Sequence, residues 1–249
     1  MLDKSGQTPL YIQLRNLIQK RIEDGVYSEG TAIPSERELC RLYGVSRITV
    51  RQAIDLAVNE GLLVRRQGKG TYVETKRIIQ ALEHITSFDR TMTGFGMFPK
   101  TFVLDCKDVI PTDKICSALG VGTGVPVTKL VLLGTADSEP LAVYVSYFIP
   151  ELGSQMAKRA TQRRFENKPF TSFDLYDELN EEFRPAKVKQ TFEARFAPAK
   201  AAKYLELERP AVVLVVESVV EARANRPLEY RTVFYRAERY KFSITRDII

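Results

Sequence analysis

Apolar residues near the start of the chain recur at spacings of three and four and predict a helix from residue 9 to residue 25. This spacing places apolar side chains on one face of a helix. Pro9 suits the first turn, and Gly25 can take the left-handed conformation that ends a helix. The apolar stripe consists of Leu10, Leu14, Leu17, Ile18 and Ile22.

Two more helices are predicted directly afterwards. Ser35 and Glu38 have the spacing of a capping box, which opens a short helix. We expect this helix to bury Leu39 and Leu42 and to end at Gly44. Ser46 then caps a third helix that ends at Gly61, and two helices joined by a short glycine turn form a helix-turn-helix. The inner stripe of the third helix is Val50, Ile54, Ala57 and Val58.

Beyond Gly61 the pattern changes to that of a hairpin. The runs 62–64 and 71–73 are apolar and β-prone, and they flank a tight turn at Gly68, Lys69 and Gly70. A hairpin appended to a helix-turn-helix is a wing. Residues 76–84 have mixed charge and weak patterning, which indicates a linker between a module at 1–75 and a larger domain at 85–249.

The larger domain alternates strand-like and helix-like runs, which predicts an α+β fold on a mostly antiparallel sheet. The strand-like runs are rich in β-branched and aromatic residues and cover 102–104, 125–133, 141–149, 212–220 and 228–235. The helix-like runs cover 113–119, 158–165, 173–183 and 199–205.

Composition excludes several classes of protein. The chain has 249 residues, of which 44% are hydrophobic, so a folded protein is expected rather than a disordered one. No apolar run approaches the length of a membrane span, and no secretory signal is visible. Cytoplasmic localisation is therefore the expectation. Three cysteines without a CxxC pair and a single histidine, His84, predict neither disulfides nor a bound metal, and no cofactor is expected.

Positive charge concentrates where the winged module would meet DNA. The net charge is only +6, but 41–52 and 61–73 contain basic residues and no acid. Arg47 and Arg51 lie four residues apart on one face at the start of the third helix, with Thr49 between them. Arginine matches guanine in a bidentate contact, and threonine can meet a phosphate or a thymine methyl group. An amphipathic surface helix with exposed arginines is the alternative.

The wing supports the DNA interpretation. Gly68 and Gly70 remove side chains that would hold the backbone away from DNA, and Lys69 stands at the tip beside Arg65 and Arg66. A plain β-turn is the alternative. Phosphate contacts position a protein on the duplex without reading its sequence. The predicted phosphate partners are Arg37, Arg65, Arg66 and Lys69.

The residues from Pro9 to Val73, which include PSERELC, YGVSRITVRQAI and EGLLVRRQGKGTYV, resemble the winged-helix domain of GntR-family bacterial transcription regulators. The resemblance implies DNA contacts from Arg37, Arg47, Thr49, Arg51 and the wing glycines. Three later segments, SFDRTMTGFGMFPKT, ADSEPLAVYVSYFIP and RPLEYRTVFYRAERYKFSI, resemble the HutC-type branch. That branch carries a UTRA effector domain with a chorismate-lyase-like α+β fold.

The resemblance also implies a small-molecule effector and a homodimer. It assigns the effector site to the amides of Gly96 and Met97 and to the side chains of Tyr176, Glu229, Arg231 and Tyr235. A strand ion pair between Glu229 and Arg231, and a core position for Tyr235, are the alternatives. Members that bind phosphosugars resemble one another in an RLR segment that here reads Leu132-Leu133-Gly134. We therefore expect a polar, anionic effector that is not a phosphosugar.

The function expected from these features is that of a ligand-responsive repressor. As a dimer it would bind a palindromic operator, because one recognition helix contacts too few bases for selectivity. An activator or dual regulator of the same architecture remains open. Catalysis by the chorismate-lyase-like domain is the remote alternative, since no catalytic constellation is recognisable in it.

Overall fold

A computed structural model describes residues 2–3, 8–74, 77–82, 86–177 and 179–246. Its backbone contacts divide the chain into a first unit, Met1–Lys76, and a second unit, Arg77–Ile249. Each unit has a hydrophobic core of its own. No helix within the described ranges is long and apolar enough to cross a membrane.

The first unit is three helices followed by a two-stranded antiparallel hairpin. Its core is formed by apolar side chains at helical spacing, including Leu14, Ile18, Leu39, Val50 and Ile54, all fully buried. The predicted capping box is confirmed, because Ser35 and Glu38 each accept a hydrogen bond from the other's backbone amide. The elements are α1 (Leu10–Glu23), α2 (Glu36–Tyr43), α3 (Arg47–Asn59), β1 (Leu63–Arg66) and β2 (Gly70–Val73).

The prediction that α2 buries Leu42 is wrong, since this side chain is 63% exposed. Leu39 is fully buried, and Cys40 and Tyr43 pack part-buried against the same core. At about 100° per residue, the centre of this apolar face lies between Leu39, Cys40 and Tyr43. Leu42 therefore points off that face.

The second unit is built on a six-stranded sheet in which every neighbouring pair is antiparallel. The strands are β3 (Ile78–Ala81), β4 (Pro99–Val109), β5 (Val127–Ala136), β6 (Glu139–Phe148), β7 (Lys187–Phe196), β8 (Val212–Glu221), β9 (Pro227–Arg236) and β10 (Tyr240–Ser243). The strand order in the sheet is β4-β5-β6-β9-β8-β7, which confirms the predicted fold class. The helices are α4 (Phe88–Gly94), α5 (Asp113–Leu119), α6 (Pro150–Glu166) and α7 (Ala199–Tyr204).

Part of the predicted linker is a strand. Residues 78–81 form β3, which pairs in parallel with β10 in the register Ile78 to Tyr240. Ile78 is 1% exposed, so this segment belongs to the second unit and the linker prediction for 76–84 is wrong there. Residues 76, 83 and 84, and residue 85 at the predicted domain start, lie outside the described residues. The pairing joins segments about 160 positions apart, and no local pattern reveals it.

The prediction of a helix over 173–183 is also wrong. Two single 3-10 turns occupy Phe173–Leu175 and Glu181–Phe183, and residue 178 lies outside the described residues. Leu175 and Tyr176 are consecutive and both buried. Both side chains pack into the core, whereas a regular surface helix buries one stripe of residues three and four positions apart.

Gly153 allows α6 to lie directly on β5. A Cβ atom at Gly153 would lie 2.7 Å from Thr128 Cβ and closer still to its hydroxyl oxygen, which donates to Asp108 at 2.6 Å. We expect Gly153→Ala to lower the free energy of unfolding by about 1–3 kcal/mol, the usual cost of overpacking, as measured by urea denaturation. Gly94→Ala is the control, because no atom lies within 4 Å of its added Cβ. Equal stability of the two variants would contradict this packing.

Candidate DNA interface and effector cavity

The first turn of α3 presents its polar side chains outward. The hydroxyl of Ser46 caps the helix by accepting from the Thr49 amide at 3.1 Å, and the two hydroxyl oxygens lie 2.9 Å apart. Arg47 and Arg51 are exposed, and Thr49 is half-buried. Buried Val50 and Ile54 anchor the opposite face. The helix can therefore present two guanidinium groups to a ligand without disturbing its core.

Two exposed side chains of this helix were not among the predicted contacts. Ile48 is 72% exposed, and Gln52 is exposed beside Arg51. Apolar side chains contact thymine methyl groups, and glutamine pairs with adenine in the major groove. The sequence does give a signal for Ile48, because it is an apolar residue of α3 that lies outside the buried stripe.

The wing is a tight hairpin with a basic surface. Gly68 and Gly70 have φ angles of +70° and +114°, which side chains other than glycine rarely adopt. Lys69 lies between them, and its carbonyl accepts from the Tyr72 hydroxyl at 3.4 Å. The guanidinium of Arg66 stacks 4.3 Å from the centre of the Tyr72 ring. The conformation of the turn therefore depends on both glycines.

Acidic side chains lie within this basic surface, although the local sequence around the wing contains none. The Arg65 guanidinium is 2.6 Å from the Asp55 carboxylate and 3.7 Å from that of Glu36. Glu36 also lies 3.7 Å from Arg51. These ion pairs bring α2, α3 and β1 together, and Arg37 is exposed in the first turn of α2. Of the predicted phosphate partners, Arg65 alone has ion pairs with acids in the described part of the chain.

The second unit contains a cavity, with about 660 Å³ of empty space including open solvent, beside the face of the sheet that carries the main core. Polar and aromatic side chains mix in its walls. The predicted residues Arg231 and Tyr235 both line it. The lining side chains include Gln80, Phe88, Tyr144, Phe173, Gln190, Arg231, Tyr235, Tyr240 and Phe242.

Arg231 is the polar centre of this cavity. It is buried, its Nη1 donates to the Ser172 hydroxyl at 3.3 Å, and its guanidinium lies 4.3 Å from the centre of the Phe173 ring. Its Nε and the Tyr240 hydroxyl are buried without a hydrogen-bond partner among the described residues. Buried polar groups normally have partners. Both atoms therefore have hydrogen-bonding capacity that no described residue uses.

The three tyrosines of the cavity remain neutral donors. The ring centres of Tyr235 and Tyr240 lie 4.6 Å apart, and those of Tyr144 and Tyr235 lie 6.3 Å apart. Burial raises the pKa of Tyr235, and it raises the pKa values of Tyr144 and Tyr240 well above the usual range. Their hydroxyl groups can donate to or accept from a ligand but do not supply a charge.

Glu229 and Tyr176 form a separate buried pair. The Tyr176 hydroxyl donates to the Glu229 carboxylate at 3.2 Å, and Glu229 is fully buried. Burial, followed by the charge of Glu229, raises the pKa of Tyr176 well above its usual value. Neither residue lines the cavity that contains Arg231. The pair therefore lies beside Arg231, whose charge partly offsets the rise in the pKa of Tyr176, but it does not form part of the cavity wall.

The amides of Gly96 and Met97, which were predicted to donate to an effector, are hydrogen-bonded within the chain in this structure. The Gly96 amide donates to the Thr93 carbonyl at 2.9 Å, and the Met97 amide donates to the Met92 carbonyl at 3.0 Å. Both amides thus satisfy the carbonyl groups at the end of α4. Neither residue is among those that line the cavity.

Comparison with known proteins connects the two units to a family. Residues 10–73 match the profile of bacterial regulatory proteins of the gntR family, and residues 95–241 match that of the UTRA domain. The chain belongs to the GntR family of transcription regulators. It is a DNA-binding regulator with a UTRA domain, and the families and relatives it matches are regulators rather than enzymes.

Relatives match over nearly the whole chain. The transcriptional repressor NagR of Bacillus subtilis is 29% identical over 97% of this chain and 96% of its own length. A probable fructoselysine utilization operon transcriptional repressor of Escherichia coli is 28% identical over 97% of this chain and 96% of its own length. The crystal structure of PhnF from Mycobacterium smegmatis superposes with a TM-score of 0.62 at 21% identity, covering 95% of this chain and 98% of that one.

In the described ranges, no group of three or more histidine, cysteine, aspartate or glutamate side chains is placed to hold a metal ion.

Proposed function

We propose that this regulator is a repressor that binds a palindromic operator as a homodimer and responds to a small anionic metabolite. The DNA-binding part of this proposal rests on the start of α3, where Arg47 and Arg51 project from a helix whose other face is buried. In helix-turn-helix proteins this turn meets base edges in the major groove. Thr49 and Arg51 complete the proposed base-reading set.

The proposed contacts to the DNA backbone come from the second helix and the wing. Arg37, Arg66 and Lys69 are exposed and would contact phosphates, while the backbone at Gly68 and Gly70 approaches the duplex closely. Such contacts set orientation and register without reading bases. Two-fold symmetry of a dimer would place two recognition helices about one helical turn apart on a palindrome.

The proposed effector is polar, carries negative charge and lacks a phosphate group. Arg231 is the only charged side chain among the described residues that line the cavity, and a single guanidinium suits one carboxylate. The Phe88 ring lies 3.0–3.2 Å from where a Cβ of Gly134 would be. A side chain at that position would require the Phe88 ring to shift slightly, and with glycine there this chain lacks one of the arginines of phosphosugar-binding members.

Two observations support repression by a ligand-controlled mechanism. The Bacillus subtilis NagR and Escherichia coli relatives are both named repressors. The chain also carries its DNA-binding profile and its UTRA profile on separate compact units. A ligand changes DNA affinity only by binding one arrangement of the protein better than another. The cavity around Arg231 is where that difference would arise.

Salt dependence tests the proposed interface. Three phosphate partners per subunit, with Arg65 held by acids, give about six in a dimer and a slope of log affinity against log salt of about −5. Fluorescence anisotropy with operator DNA between low and moderate salt would measure it. A slope shallower than about −3 would show that most of these side chains do not touch DNA.

Footprinting and sedimentation test the remaining parts of the proposal. We expect protection of two half-sites related by a dyad, and a dimer in velocity sedimentation at the concentrations that protect DNA. A monomer protecting one half-site would overturn the proposed assembly.

A further inference from the structure

The acids inside the basic surface of the first unit form a connected cluster. Asp55 of α3 and Glu36 of α2 both approach the guanidinium of Arg65, at 2.6 Å and 3.7 Å, and Glu36 approaches Arg51 at 3.7 Å. Two carboxylates therefore face two guanidinium groups in the middle of the proposed DNA interface. The formal charge of this cluster is zero, while Arg37, Arg47, Arg66 and Lys69 around it are cationic.

All four side chains remain accessible to a competing anion. Between 34% and 68% of each side chain is exposed, with Arg51 the most exposed and Glu36 the least. Exposed ion pairs are weak, so a DNA phosphate can displace a carboxylate from Arg65. The displaced carboxylate then lies close to the phosphate backbone and repels it. Each phosphate contact through Arg65 is thereby weakened.

This arrangement acts differently on non-specific and specific binding. Non-specific binding depends almost wholly on phosphate contacts. Repulsion between the acids and phosphate therefore weakens the contribution on which its affinity depends. Operator binding also gains from base contacts by Arg47, which has no ion pair with the described acids. A repulsive element that penalises the wrong partner more than the right one raises specificity.

We propose that Asp55 and Glu36 are specificity determinants, which hold Arg65 in intramolecular ion pairs and so suppress binding to non-operator DNA. The inference rests on the proposed DNA interface at α3 and the wing. It adds that two acids within this interface are functional because they weaken its hold on the phosphate backbone.

The test compares Asp55→Asn and Glu36→Gln with Glu60→Gln. Glu60 follows the last turn of α3 and pairs with Arg15 of α1, so its replacement makes the same charge change away from Arg47. Anisotropy titrations would use an operator duplex and a scrambled duplex of equal length. For each interface variant we expect about three- to tenfold tighter binding to scrambled DNA, a smaller gain on the operator, and a steeper salt slope approaching about −7 for Asp55→Asn.

The double variant Asp55→Asn/Arg65→Gln identifies the route of the effect. If the acid acts by holding Arg65, the gain from Asp55→Asn is smaller in the Arg65→Gln background than in the parent protein, because only the direct repulsion between Asp55 and phosphate remains there. Gains equal to those of Glu60→Gln, or weaker binding in both interface variants, would overturn the inference. Arg47→Ala, measured on the same duplexes, tests the DNA interface itself. If that variant kept its preference for the operator, the proposed interface would be rejected, and not only the role of the two acids. Circular dichroism confirms that each variant is folded.

Discussion

Replacing Arg47 by alanine is expected to remove most of the preference for operator over scrambled DNA. Arg47 is the first residue of α3 and is exposed, and the Ser46 cap that starts the helix does not involve its side chain. A bidentate contact from arginine to guanine contributes about 1–3 kcal/mol of discrimination, and a dimer makes it twice. The expected result is a loss of at least about thirtyfold in operator affinity, with little change on scrambled DNA.

Lys69→Ala is the matched comparison for Arg47→Ala. Lys69 lies at the tip of the wing between Gly68 and Gly70, and we assign it to the phosphate backbone. Its removal should weaken binding to both duplexes evenly and reduce the salt slope by about two for a dimer, one for each subunit. Gel-shift titrations on matched and scrambled duplexes measure both variants. If Arg47→Ala lowered affinity for the two duplexes equally, its assignment to base reading would be wrong.

Removal of the Arg231 guanidinium is expected to abolish the response to the effector. Arg231 is the only charged group among the described residues that line the cavity, and its Nε lacks a partner there. Hydrogen bonds to charged groups contribute about 1.5–3 kcal/mol, so Arg231→Ala should weaken binding by at least tenfold. Thermal-shift screening of carboxylates, amino-acid derivatives and sugar phosphates would find the ligand, and isothermal titration would measure it.

Two further variants separate loss of the ligand contact from loss of structure. Arg236→Ala removes an arginine from the same strand whose partners, Glu139 and Glu238, lie outside the cavity, and it should bind ligand normally. Tyr240→Phe removes a buried hydroxyl that has no protein partner in the described residues, so stability should hold while ligand affinity falls. Micromolar binding of a sugar phosphate that is unaffected by Arg231→Ala would contradict both the proposed ligand class and the proposed site.

Local signals in the sequence predicted the first unit well because its structure is determined by near neighbours. The capping box at Ser35 and Glu38, the cap at Ser46 and the glycine turn at Gly68 and Gly70 all operate within a few residues. The sequence does not predict the ion pair between Asp55 and Arg65, because the two residues belong to different elements that meet only in the folded unit. Charge runs in a sequence do not show which opposite charges approach in space.

The second unit was predicted less completely because its contacts are long-range. The edge strand β7 was missed, since eight of its ten residues are exposed and it shows no alternation of buried and exposed positions. The effector residues taken from the resemblance divide into three places: Arg231 and Tyr235 line the cavity, Tyr176 and Glu229 pair beside it, and Gly96 and Met97 end α4. Family motifs identified relevant strands, but packing decided which side chains reach the cavity.

The pairing of β3 with β10 changes where a minimal sensing fragment can begin. Gln80 of β3 and Tyr240 and Phe242 of β10 all line the cavity, and each strand has the other as its partner. A fragment that starts at residue 85, the boundary expected from the sequence, lacks β3 and leaves β10 unpaired beside an open wall. A fragment that starts at Arg77 keeps both strands. Only four residues separate β2 from β3 along the chain, so the boundary between the two units must fall within that short segment.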